Sequence, residues 1–133
     1  MIPENYKLLI EKLKRKTLEK QTVWNKTSRD TEYKLNLENG AITVDKWVGE
    51  DREGALYVDF AIYNDDGDRV DILTFEAQED KEDYTFLAEL YVTVNRAYYK
   101  VDETIKNIFK EMESDKKIGK ANTPNEKKDE LPS

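Results

Sequence analysis

The chain contains no cysteine and no histidine in 133 residues. The first absence removes disulfides, thiolate nucleophiles and cysteine-held zinc, and the second removes imidazole as a proton carrier or metal ligand. Glycine occurs five times and proline three times, so little interrupts a regular backbone. No apolar run approaches the roughly 20 residues of a membrane-spanning helix, and the opening MIPENYKLLIEKLKRK lacks the uncharged core of a secretory signal. The expectation is a cytoplasmic protein with no membrane partner. Also missing are G-x-S-x-G, the phosphate-binding loop and G-x-G-x-x-G, so the sequence points to no cofactor and favours a non-enzyme.

What is present is charge and aromatic mass. Charged residues make up 38% of the chain and the net charge is −7, while eight Tyr, four Phe and two Trp give a core enough to work with. The charge is uneven: residues 21–95 hold seven basic against eighteen acidic side chains, a balance of −11. Phosphates need a basic footprint, so nucleic acid is not an expected partner of this region; the field suits mimicry of nucleic acid or a basic protein partner, and solubility alone is a sufficient reason for it. The apolar pattern stops near residue 113. Residues 1–113 read as one domain, and 114–133 as a disordered charged tail.

Tyr6, Leu9, Ile10 and Leu13 recur at spacings of three and four and predict an amphipathic helix from Pro3 to about Lys20. Four alternating segments follow: Tyr33 to Leu37, Ile42 to Trp47, Leu56 to Tyr63, and Val70 to Phe75. They are joined by an E-N-G turn, the G-E-D-R-E-G loop at 49–54 and an N-D-D-G-D turn. Helical spacing returns from Tyr84 to Tyr98, and Asp102 reads as the N-cap of a last helix carrying Ile105, Ile108, Phe109 and Met112. The predicted fold is a two-layer α+β domain: a four-stranded antiparallel meander with an N-terminal helix and two C-terminal helices packed on one face. N-D-D-G-D resembles a calcium loop, but its glycine stands fourth rather than sixth and Phe75 occupies the place of the bidentate acid, so a hairpin turn is expected there and no metal.

Between the first helix and first strand lies TVWNKTSRDTEYKLNL. Its Trp24 is expected to plug the edge of the core, with Thr27, Ser28 and Asp30 serving local backbone amides. The alternative is a small-molecule site for an anionic nucleotide, with Trp24 as a stacking platform beside Lys26, Arg29 and Arg96. VWNKTSRDTEYKLNL, VDFAIYNDDGDRVD and LAELYVTVNRAYYKVDETIKNIFKEM together resemble a loose class of small bacterial and mobile-element proteins. That class has a leading helix, a W-x-K-[ST] link, a meander and a terminal helical pair. The resemblance implies the same fold and a phage or prophage context; the class carries no settled activity.

The alternation in the third segment turns Leu56, Val58, Phe60 and Ile62 toward the helices and leaves Tyr57 and Tyr63 outward. Trp47 joins them, as do Leu73 and Phe75 if the hairpin register places them there. Such a cluster suits a protein interface or a homodimer made sheet to sheet. Asp59 and Asp71 would orient the partner, as in an inhibitor or immunity-type factor; a partial second layer under the last helix or the tail would explain the same residues. Asp45, Asp59 and Asp71 are expected to lie solvated on the outer face rather than to work as a catalytic pair.

Overall fold

The computed structural model describes residues 1–50 and 54–122. Parts of the expected loop at 49–54 and tail at 114–133 lie outside these residues. The element order is α1 (Glu4–Leu18), β1 (Trp24–Lys26), β2 (Glu32–Leu37), β3 (Gly40–Val48), β4 (Leu56–Asn64), β5 (Arg69–Glu76), α2 (Lys81–Tyr98) and α3 (Val101–Met112). The protein is α+β, and its antiparallel sheet has five strands in the order β1-β2-β3-β4-β5 rather than the four expected. The extra strand, β1, is the Trp24 link, which pairs with β2 through Trp24↔Leu35 and Lys26↔Tyr33.

The helix α1 starts after Pro3, whose extended backbone suits the cap and whose carbonyl accepts from Tyr6 and Lys7. It buries Ile10, Leu13 and Thr17 on one stripe. Its end is closed by Lys20 at φ 61°, with the Gln21 amide bonded back to the Lys16 carbonyl, the geometry of a left-handed helix stop. The helix α2 packs along α1 and over β3, β4 and β5, and buries Leu87, Leu90 and Val94. Between these helices and the sheet lies the core: Tyr33 and Leu35 of β2, Ile42 and Val44 of β3, Val58 and Phe60 of β4, and Phe75 of β5.

Residues 1–101 form one compact unit, and α3 belongs, from Asp102 onward, to a second. The helix α3 begins one residue after Lys100, which adopts φ 54°, so Asp102 stands inside the first turn rather than at the cap. None of its residues is buried, and Ile105, Ile108, Phe109 and Met112 are all exposed. Among the described residues no helix is long and apolar enough to cross a membrane.

Candidate functional site on the outer sheet face

Strand alternation puts every second side chain on the face away from α1 and α2. The registers line these residues up in rows across the sheet. The central row is Glu32 of β2, Asp45 of β3, Asp59 of β4 and Thr74 of β5, each directly opposite the next. On one side runs Trp47, Tyr57 and Glu76; on the other runs Lys34, Thr43, Ala61 and Ile72, with Tyr63 beyond.

Carboxylates directly opposite one another repel, so each must be neutralised or hydrogen-bonded. Glu32 accepts from the Thr27 hydroxyl at 2.8 Å. Asp45, only 2% exposed, accepts from the Thr31 hydroxyl at 2.6 Å and pairs with the Arg29 guanidinium at 2.7 Å, while Arg29 itself reaches into solvent. The backbone carbonyl of Thr31 takes the Tyr91 hydroxyl at 2.6 Å, so α2 on the far face helps to hold the segment that supplies Arg29. Burial pushes the Tyr91 phenol up to about 12, which keeps it a donor.

Asp59 makes no ion pair among the described residues, although the Arg29 charge reaches it. The Trp47 indole N–H donates to its Oδ2 at 2.9 Å, and Oδ1 is enclosed with no hydrogen-bond partner among the described residues. Burial raises its pKa above the ordinary carboxylate value; the Thr74 hydroxyl, the Trp47 N–H and the Arg29 charge pull it back, and the neighbouring Asp45 charge adds to the rise. Trp47 stacks on Tyr57, directly opposite in the register, with ring centroids 4.4 Å apart and planes at 15°. Lys34 lies over the Tyr63 ring at 5.6 Å. The outer face is therefore a row of restrained carboxylates bordered by a stacked aromatic pair, and its field favours a cationic group able to lie flat on the rings.

Four of the six expected interface residues, Trp47, Tyr57, Asp59 and Tyr63, share this face; two do not. Phe75 stands opposite Val58 and is part of the core, and Asp71 stands opposite Ile62 on the helix side, where the Tyr6 hydroxyl donates to its carboxylate. Leu73 turns the same way, opposite Phe60, so β5 sends Ile72 and Thr74 outward instead. The pairing shifts between Ile62 and Tyr63, leaving Val70 as the extra residue of β5. Asp45 and Asp59 are held by partners rather than solvated.

The residues of the expected nucleotide site do not all share one face. Trp24 is 6% exposed and its indole donates to the buried Thr17 hydroxyl at 3.1 Å, so it is a core plug and not a stacking platform. Lys26 lies over the Tyr33 ring at 4.8 Å and donates to the Asp30 carbonyl, on the helix side of β1. Arg29 serves Asp45 on the opposite face, and Arg96 lies in the last turn of α2. The N-D-D-G-D segment is a turn in which the Asn64 side-chain oxygen accepts from the Asp66 and Asp68 amides, with Gly67 at φ 89°. Among the described residues no cluster of three or more acids could hold a metal ion.

Alternation places Asp45 on this face as a solvated acid but gives no sign of its burial or of the parts that Thr31 and Thr74 take. A usable signal exists in the alternation T-V-D-K-W over 43–47 against Y-V-D-F-A over 57–61, which superposes acid on acid and aromatic on aromatic once the two strands are paired. No family model matches the chain, and neither a curated protein nor a solved structure shows significant similarity to it.

Proposed function

We propose that the protein is a non-enzymatic binding protein whose outer sheet face docks a basic protein partner, in the manner of an inhibitor or immunity-type factor. The observation that carries this is the Trp47–Tyr57 stack set beside the Asp45–Asp59 pair. Half-buried Trp47 and Tyr57 offer ring surface on which an incoming arginine can stack, while Asp45 and Asp59, already covered by their own partners, act on it only through their field. A second copy of the chain suits this face less well, because a two-fold pairing would set the row Glu32, Asp45, Asp59 against itself.

The test compares the wild-type chain with Trp47→Ala and Tyr57→Ala, each immobilised and exposed to extract, with bound proteins identified and melting temperatures measured in parallel. The expected result is a basic protein retained by the wild type, weakened by about tenfold or more in each variant, with melting changed by only a few degrees. Retention that is unchanged in both variants removes the outer face from consideration.

A further inference from the structure

A sheet of five strands has two edges, and each edge is a row of backbone donors and acceptors open to another strand. The edge at β1 is only three residues long, too short to template much pairing. The edge at β5 is eight residues long and its sequence, R-V-D-I-L-T-F-E, is rich in β-branched and aromatic residues and contains neither proline nor glycine. Val70 and Ile72 are exposed along it. By length and composition it is the more adhesive of the two edges.

The direction of its amides follows from three bonds. The Ile72 N–H is bonded to the Asp71 Oδ1 at 2.9 Å, and the Glu76 N–H to the Asp80 Oδ2 at 3.0 Å, whereas the Ala77 N–H goes to the Leu56 carbonyl at 2.9 Å on the β4 side. In an antiparallel ladder the amides of one strand alternate between its two neighbours. Residues 71, 73, 75 and 77 therefore pair inward, and Ile72, Thr74 and Glu76 face the open edge. Two of these three outward donors are already occupied by carboxylates of the same chain.

Both carboxylates are diverted from other uses to do this. Asp80 stands at the N-cap of α2, where an aspartate ordinarily bonds the first helical amides, yet it makes no cap bond there and turns back to Glu76. Asp71 is fixed by the Tyr6 hydroxyl of α1, which aims its other oxygen along the edge at the Ile72 amide. We propose that Asp71 and Asp80 guard the β5 edge against strand addition, both by occupying its outward amides and by placing negative charge where an incoming strand would present its carbonyls. This does not rest on the proposed partner: it says that an extended strand, from a second copy or from another chain, is refused at β5.

Amide exchange of the full-length chain, resolved by residue, is the direct test. Thr74 faces the same edge, its amide bonded to no carboxylate among the described residues, and is the internal control. Ile72 and Glu76 are expected to exchange about tenfold or more slowly than Thr74. Asp71→Ala brings Ile72 to the Thr74 rate, while Asp71→Asn, which keeps an acceptor oxygen, leaves it protected; Asp80→Ala does the same to Glu76. The double variant Asp71→Ala/Asp80→Ala is then expected to bind a peptide of residues 69–76 and to dimerise as its concentration rises, and the wild type to do neither. Equal exchange at the three amides of the wild type overturns the proposal, as does a wild-type dimer paired through β5 or a folded double variant that stays monomeric and ignores the peptide. Should the double variant not fold, the wild-type rates and the Asp71→Asn comparison decide the matter alone.

Discussion

The fate of a single carboxylate shows how the outer face differs from an ordinary solvated strand surface. Asp59 is held by the Trp47 indole without an ion pair among the described residues, and burial raises its pKa in the folded chain against the smaller opposing pull of Thr74, Trp47 and Arg29. Between the ordinary value of 3.8 and the raised one, the folded state binds more protons at this site than the unfolded state, so its contribution to stability falls as pH rises through that window and stays low above it. Asp59→Asn keeps an acceptor for Trp47 and removes the titration. Its stability relative to wild type should therefore climb from pH about 4 upward and reach a plateau by pH 7, where the variant is at least as stable, as read by urea unfolding across the range. A variant that is instead about 1 kcal/mol or more weaker at pH 7 would mean that the ionised carboxylate contributes to the fold. Alternation in the sequence assigns Asp45 and Asp59 to the outer face correctly, but alternation reports a direction and not what covers it. The cover comes from Arg29, Thr31 and Trp47, and only the paired strands bring those three together.

At the scale of elements, the parts legible in the sequence are those long enough to show a period: α1, α2, and the strands β2, β3 and β4. The strand β1 spans three residues, less than two repeats of alternation, so it reads as a link; its pairing depends on β2 being there to receive it. In β5 both alternating sets are apolar, Val70 with Ile72 on one side and Leu73 with Phe75 on the other, and hydrophobicity alone cannot choose between them. The irregularity at Ile62/Tyr63 sets the phase, and it moved Asp71 and Phe75 off the outer face. The start of β3 is specified more tightly. A Cβ on Gly40 would lie 2.3 Å from the Tyr63 carbonyl oxygen, which belongs to backbone and cannot swing aside. Gly40→Ala should therefore separate the ends of β3 and β4 and cost about 1–3 kcal/mol in urea unfolding, with altered Tyr63 resonances. A cost near zero would show that these strand ends yield without penalty.

For the whole molecule the decisive property is where charge sits relative to what anchors. The acidic excess of residues 21–95 lies on a chain of net charge −7, and three of its acids, Glu32, Asp45 and Asp59, stand in a row on the outer face beside the stacked Trp47–Tyr57 pair. Long-range charge governs how often a basic partner arrives, and close aromatic packing governs how long it stays. The two contributions can therefore be separated by kinetics on the partner retained by the wild-type chain. Raising the salt from about 0.02 to 0.5 M shortens the Debye length from roughly 20 Å to about 4 Å, and the association rate should fall about tenfold or more while dissociation changes little. Trp47→Ala and Tyr57→Ala should do the reverse, leaving association nearly intact and quickening dissociation. Lys34, over the Tyr63 ring on the same face, supplies an internal contrast: Lys34→Glu adds negative charge without touching the stack, and should raise the association rate at low salt only. If association is insensitive to salt, or if the Trp47 variant slows arrival rather than hastening departure, the acidic row is not what draws the partner and the aromatic pair is not what keeps it.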